Sequence, residues 1–289
     1  MNNLVVLGSE GMLGRSIVPI LKEYGYELIT VSKNSSCDFN ADLTDRNQLI
    51  NLLDKLQPKT ILNLTALTNI EYCEVDINSA YKINVGIVEN IAYWLYCNQN
   101  KSHLVQISTD HIYDGNGNSK ESSVVIRNVY GLTKYAGELA ATNSNSSIIR
   151  LNFLGRSKLN EKKSLSDWIY SSSLNGSSIE VFDNIYFCPL SHQSLVKILH
   201  LIIQTRILGV YNVGCKNGLS KAKFAYKFLD KLGMPTRNMI ETNYDIYRHG
   251  IKVKRPFDMR MCVQKIENAL GINMPTIDAV IDDVVKEYI

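Results

Sequence analysis

No apolar run in these 289 residues is long enough to cross a bilayer; the longest, at 198–203, is interrupted by His200. The start, Met1-Asn2-Asn3, has no basic region, and the apolar stretch after it breaks at Gly8, so no export signal is read and a cytoplasmic location is expected. The six cysteines are dispersed with no C-x-x-C pair, which argues against a disulfide framework and a zinc cluster. The five histidines lack ligand spacing, so no metal site is expected. Neither sign of charge dominates: a net charge of +3 is too small to imply nucleic acid, and the basic run at 156–163 reads as a solvated loop before it reads as a phosphate site. Repeats and long low-complexity segments are also missing.

Hydrophobic residues make up 45% of the chain and charged residues 20%, enough for a sizeable core in one large domain or two interleaved ones. Strand-like apolar runs alternate with helical patterns through the first half. Strands are read at 4–7, 27–31, 60–66, 104–109 and 147–152, and helices at 12–24, 49–56, 80–95 and 129–141. Such alternation predicts an α/β fold: a Rossmann-type, doubly wound parallel sheet covered on both faces. Beyond Gly155 the pattern loosens, with strands at 179–182 and 210–213 and helices at 191–205, 220–232, 263–270 and 276–288. The expected division is a dinucleotide-binding domain at 1–155 and a smaller, mainly substrate-binding region at 156–289 that is partly interleaved with it.

Gly8, Gly11 and Gly14 fall between the first strand and the first helix. Glycines there allow a tight turn and close approach of backbone to a pyrophosphate, and the helix N-terminus supplies free N–H groups. The second strand ends in Val31-Ser32-Lys33 without the carboxylate that would favour NAD. Lys33, beside Ser32, could instead pair with a 2′-phosphate. The reading therefore favours NADPH, with NADH as the alternative and an exposed loop charge as the plain explanation of Lys33.

Tyr130 and Lys134 stand four residues apart on a predicted helix and so share one face. A neighbouring ammonium favours the phenolate and brings the phenol, of pKa about 10, towards useful acid–base range. Ser108-Thr109-Asp110-His111 lies upstream at a predicted strand end, where doubly wound sheets face their ligand crevice. A hydroxyl there can bond the carbonyl oxygen that Tyr130 protonates.

Gly8–Gly14, Ser108–Gly115 and Tyr130–Glu138, with Asp42–Asp45, Asn63–Ala66, Ile83-Asn84-Val85, Arg255-Pro256 and Lys265–Gly271, resemble the extended short-chain dehydrogenase/reductases, and among them the dTDP-4-dehydrorhamnose reductase family. The resemblance implies NAD(P)H-dependent reduction of a 4-keto-6-deoxysugar nucleotide, in the making of sugars for bacterial surface polysaccharide. It implies that Gly11, Met12 and Leu13 lie along the pyrophosphate, Asp42 and Leu43 at adenine, and Ala66, Leu67 and Thr68 on the nicotinamide side. Thr109, Tyr130 and Lys134 match the catalytic positions, and Lys134 also the ribose contact. Asp110, His111, Phe153 and Arg255 fall on the substrate side, and a homodimer is the assembly considered. His111 stands where tyrosine is common, Phe153 where tryptophan is frequent, and Arg127 replaces a proline. The Asp110-His111 pair lacks the acid that dehydrating relatives carry. A C4 epimerase and a non-catalytic nucleotide-binding regulatory subunit remain as alternatives.

Overall fold

A computed structural model describes residues 3–33, 36–99, 101–159, 161–245 and 253–289; Met1, Asn2 and residue 160 of the basic run lie outside the described residues. In chain order the elements are β1 (Asn3–Leu7), α1 (Met12–Glu23), β2 (Glu27–Ser32), β3 (Phe39–Asn40), α2 (Arg46–Leu56), β4 (Thr60–Asn63), α3 (Ile70–Val75), α4 (Ile77–Tyr81), α5 (Ile87–Cys97) and β5 (His103–Ile107). There follow α6 (Val129–Ala141), β6 (Ser146–Leu151), β7 (Phe153–Leu154), α7 (Leu165–Leu174), β8 (Ile179–Phe182), β9 (Tyr186–Phe187), β10 (Leu190–Ser191) and α8 (His192–Thr205). The last are β11 (Gly209–Val213), β12 (Leu219–Ser220), α9 (Lys221–Lys231), β13 (Met239–Thr242), α10 (Gln264–Leu270) and α11 (Ile277–Val285). Among the described residues no helix is long and apolar enough to span a membrane.

The chain forms two compact units. Unit 1 holds Met1–Thr109, Asn128–Arg150 and Ile198–Tyr211; unit 2 holds Asp110–Arg127, Leu151–Lys197 and Asn212–Ile289. The large sheet runs β3-β2-β1-β4-β5-β6-β11, and every neighbouring pair from β3 to β6 is parallel. Strand order reverses between β1 and β4, so a crevice is expected beyond their carboxyl ends. Every residue of β4, β5 and β6 is buried, as strands covered on both faces must be. The core packs Val5, Leu7 and Ile61 of the sheet against Leu49, Leu53, Ile91 and Leu95 of α2 and α5.

Several element bounds shift by one to a few residues from the sequence reading, and two of the differences have a polar reason. The strand expected over 60–66 stops at Asn63, whose Oδ1 accepts the Thr65 N–H at 3.1 Å and the Thr65 hydroxyl at 2.5 Å, turning the chain out of the sheet. The single helix expected over 80–95 is broken: a π-helical turn, Lys82–Gly86, separates α4 from α5. Asn84 in that turn is buried and occupies its amide on the backbone of Leu67 and the hydroxyl of Thr133. One extra residue per turn is how a helix re-aims such a side chain, and π-turns recur at functional sites.

Unit 2 is built from small pieces. β7 pairs with β10 and β8 with β13 in parallel, and β9 with β12 antiparallel. Its aromatic core joins Phe187, Phe224, Phe228 and Tyr288, with the Phe224 and Phe228 rings stacked 5.6 Å apart. α7, absent from the sequence reading, starts at a reciprocal cap between Ser164 and Asp167.

Candidate active site

At the end of β1 the chain turns on Gly8, whose φ of +80° is one that side-chain-bearing residues rarely adopt. Its N–H donates to Val31 O at 2.9 Å, and the Gly11 N–H returns to Gly8 O at 3.1 Å. A methyl group on Gly14 would overlap the carbonyls of Ser9 and Gly8, so only glycine lets α1 lie against the turn. Gly11 caps α1 with extended backbone and no side-chain bond, leaving the first helical N–H groups available to an anion. Met12 follows half-buried, while Leu13 is buried.

At the end of β2, Ser32 accepts the Ala41 N–H through its carbonyl. The exposed Lys33 ammonium meets Asp42 Oδ2 at 2.9 Å. Asp42 is held below the usual carboxylate range first by the Thr44 hydroxyl and further by Lys33. The structure thus brings together two residues that the sequence reading placed separately, on the 2′-phosphate and the adenine. Leu43 beside them is buried. Past β4, Ala66 and Leu67 are half-buried and Thr68 is exposed, with Leu67 clamped at both backbone groups by Asn84.

β5 ends at Ile107, followed by Ser108 and Thr109, both buried. α6 starts on an Asn128 cap, whose Oδ1 accepts the Gly131 N–H at 2.8 Å, and presents Tyr130 and Lys134 on a buried face. Lys134 Nζ donates to Ile107 O at 2.7 Å, pinning the helix to the strand end and leaving two of its three N–H groups for other acceptors. Burial pushes the Lys134 ammonium down to about 8, opposed by Glu138 one turn further on. Glu138 accepts the Ser108 hydroxyl and is gripped by Arg150 of β6. Unit 1 therefore gathers the glycine turn, the 66–68 loop and the Thr109 end of β5 at the carboxyl ends of the adjacent strands β1, β4 and β5.

The four residues expected on the substrate side all belong to unit 2. Asp110 is buried and its Oδ2 accepts the Asn152 amide at 2.8 Å. His111 is driven down to about 3 by burial, then by Lys221 and Arg255, which favours the neutral imidazole. Phe153 is half-buried, its ring 5.7 Å from that of His192. Arg255 is also half-buried, and it acts with burial to lower the Lys221 ammonium while Asp110 raises it. Lys221 was missed by the sequence reading because it looks like any first-turn lysine of an amphipathic helix. A separate cavity of about 410 Å³ in unit 2 is bordered by Asn118, Cys188, Cys215, Lys216 and Arg260, and by none of the expected site residues. Its cations are already paired, Lys216 with Glu267 and Arg260 with Asp258. Among the described residues no cluster could hold a metal ion.

A doubly wound parallel sheet carrying a glycine turn after β1 and a Tyr-x-x-x-Lys pair beside a Ser-Thr strand end defines an extended short-chain dehydrogenase/reductase. Over residues 1–289 the chain matches the family described as RmlD substrate binding domain, and it belongs to that family. A dTDP-4-dehydrorhamnose reductase of Aggregatibacter actinomycetemcomitans is 26% identical over 289 residues, covering 94% of each chain. A probable low-salt glycan biosynthesis reductase of Haloferax volcanii is 22% identical, again over 94% of each. Among solved structures, a hypothetical dTDP-4-dehydrorhamnose reductase from Sulfolobus tokodaii has a TM-score of 0.84 at 28% identity, covering 98% of this chain and 99% of that one. The Bacillus anthracis dTDP-4-dehydrorhamnose reductase in complex with NADP has a TM-score of 0.88 at 22% identity, over 99% of each chain.

Proposed function

We propose that this protein reduces the 4-keto group of a nucleotide-linked 6-deoxysugar. The observation that carries the reading is the buried Tyr130–Lys134 face of α6, pinned by Lys134 to the strand end that bears Thr109. The glycine cradle fits a dinucleotide: side chains at Gly8 and Gly14 would close it, and the α1 N-terminus is left uncapped. NADPH held by Gly8–Gly14, Ser32–Lys33, Asp42–Leu43 and Ala66–Thr68 supplies the hydride; NADH is the alternative, because Asp42 already engages Lys33.

The chain's own residues handle the proton. The Lys134 ammonium favours ionisation of the Tyr130 phenol, so the phenol gives up its proton to the carbonyl oxygen near neutral pH. The Thr109 hydroxyl donates a hydrogen bond to the same oxygen. Asp110, neutral His111, Phe153 and Arg255 hold the sugar nucleotide, joined by Lys221. The cofactor region at 1–155 and the substrate region at 156–289 remain the proposed division of labour, with 110–127 and 151–155 moved to the substrate side and 198–211 to the cofactor side. A cytoplasmic homodimer is the proposed form, supported by exposed Val75, Ile77, Leu132 and Leu139 on the mutually packed α3, α4 and α6. Sedimentation of the purified protein tests it: a single monomer species at micromolar concentration rejects the dimer.

Spectrophotometry with a panel of 4-keto sugar nucleotides tests the activity. Stoichiometric loss of NADPH supports reduction. Interconversion of two sugars without net loss indicates an epimerase, and binding without turnover a regulatory subunit.

A further inference from the structure

Glu138 is buried at 2% exposure beneath the proposed catalytic pair, and the Tyr–Lys spacing gives it no task. It repeats the spacing once more: Tyr130, Lys134 and Glu138 succeed one another every four residues, so all three lie along one buried stripe of α6. Its carboxylate is bonded to Arg150 and Ser108 and lies one helical turn from Lys134. Arg150 of β6 grips it through Nε at 3.0 Å and 3.1 Å and through a terminal nitrogen at 2.6 Å. The Ser108 hydroxyl donates to Oε1. Lys134 stands one turn back, with its ammonium on Ile107 O. Thr109 follows Ser108 directly, so the carboxylate holds the strand end through Ser108 while standing one helical turn from Lys134 on the same stripe.

We propose that Glu138 is a positioning residue whose buried carboxylate keeps Lys134 charged and ties it to the strand end carrying Thr109, while Arg150 sets how strongly it does so. This rests on the Tyr130–Lys134 reading above. Electrostatics support the geometry. A buried lysine tends to lose its proton, and Glu138 is the charge that counters burial at Lys134. The other ionisable groups on elements packed against α6 are engaged or exposed: Glu74 of α3 accepts the Val129 N–H, Glu89 of α5 accepts the Tyr81 hydroxyl, and Lys82 of the π-turn is exposed. On α6 itself the remaining ionisable neighbours are Tyr130 and Tyr135, the latter with its ring 5.9 Å from the Arg150 guanidinium. Burial brings the Lys134 ammonium down and the Glu138 charge opposes it; Arg150, a cation on the same carboxylate, works against that opposition.

The sign of each substitution follows. Glu138→Gln removes the supporting charge, so Lys134 loses its proton at lower pH. Arg150→Met removes an opposing cation and frees the carboxylate, so Lys134 keeps its proton to higher pH. The double variant Glu138→Gln/Arg150→Met removes both members of the buried Glu138–Arg150 pair and so leaves no unpaired guanidinium, while Lys134, which can shed its proton, still titrates below wild type.

The direct measurement is an NMR titration of side-chain ¹⁵N-labelled lysine in the full-length protein, with the Lys134 signal assigned by its loss in Lys134→Met. A midpoint lowered by about one pH unit or more in Glu138→Gln and in the double variant, and raised in Arg150→Met, supports the proposal. An unchanged midpoint in the double variant overturns it, whether or not Glu138→Gln folds. The alkaline limb of kcat/KM for NADPH-dependent keto-sugar reduction is the second readout. It should move the same way, so that Glu138→Gln recovers activity as the pH is lowered, whereas purely structural damage lowers the whole profile without moving it. A limb that stays fixed while the lysine titration moves overturns the functional half of the proposal. Absence of turnover in the wild-type protein counts against the reductase reading, and the NMR titration still decides the role of Glu138.

Discussion

Units 1 and 2 are of comparable size but solve burial differently. Unit 1 lays long, consecutive elements beside one another, so most backbone groups pair within a regular ladder or helix. Buried polar side chains lie at both ends of its sheet: Asn63–Gln106, Asn84–Thr133 and Ser108–Glu138–Arg150 towards the carboxyl ends of the strands, and His103–Ser147 at the other. Unit 2 contains several strands of two residues, and side-chain amides do what a ladder does elsewhere. Asn212 accepts the Tyr113 hydroxyl at 2.7 Å and donates to the carbonyls of Ser119 and Cys262, holding three distant segments together. Asn184 exchanges bonds with the backbone of Tyr244 in the same manner. The contrast assigns different liabilities: in unit 1 a polar substitution near the carboxyl ends of the strands should damage chemistry, and in unit 2 it should damage folding.

The sharpest way to break that contrast is Tyr130→Phe. If the chemistry belongs to unit 1, kcat falls about 10²–10⁴-fold, while melting temperature and NADPH affinity, read by calorimetry, stay close to wild type. A variant with near-normal turnover removes the proton donor from Tyr130.

Next in size is Asn212→Ala in unit 2. It removes the acceptor of the Tyr113 hydroxyl and the amide donor to the Ser119 and Cys262 carbonyls, at about 1–3 kcal/mol for a buried group that loses its partner. Urea unfolding should show a stability loss of at least about 2 kcal/mol, with little change in kcat for the fraction that remains folded. A loss no greater than that of an exposed Asn→Ala control would show that the amide is not what joins those segments.

A smaller effect concerns acid. His103 in unit 1 is pushed from 6.5 down to about 4, by burial first and Arg206 second. Because the folded value is depressed, the unfolded chain takes up the proton first. The stability present above pH 6.5 is therefore lost progressively as pH falls towards 4. His103→Asn should flatten melting temperature against pH across that window, and an unchanged slope would locate the acid sensitivity elsewhere, with His111 of unit 2 the next group to replace.

The smallest expected change is Lys33→Ala. Lys33 is exposed and shared with Asp42, so its worth to a 2′-phosphate is at most about 1 kcal/mol. The preference for NADPH over NADH should drop less than about sixfold. A loss of a hundredfold would mean that Lys33 leaves Asp42 for the cofactor.

How much of this was legible beforehand follows the same line between the units. The strands at 27–31, 104–109 and 147–152 and the helices at 49–56 and 129–141 were readable because apolar period and element length agree, and the observed bounds differ by at most a few residues. Glycines between the first strand and first helix, and the Tyr130–Lys134 spacing, were readable because both depend on chain-local geometry. The break at Asn84 was not, because the apolar stripe continues across it; the extra residue answers to Leu67 and Thr133, far away in sequence. α7 carried a readable signal, the Ser164–Asp167 cap, but its run of serines hides the apolar face.

By itself, the sequence determined the α/β class, the glycine turn, the order of the proposed catalytic residues and the Tyr130–Lys134 spacing on α6, since each is set by period and local backbone preference. Tertiary structure alone decided that Lys33 turns to Asp42, that burial, with Lys221 and Arg255, lowers the His111 imidazole, and that Glu138 is held by Arg150 and Ser108. Charge states and partners depend on burial and on through-space distance, and neither is written in the spacing of residues along a chain.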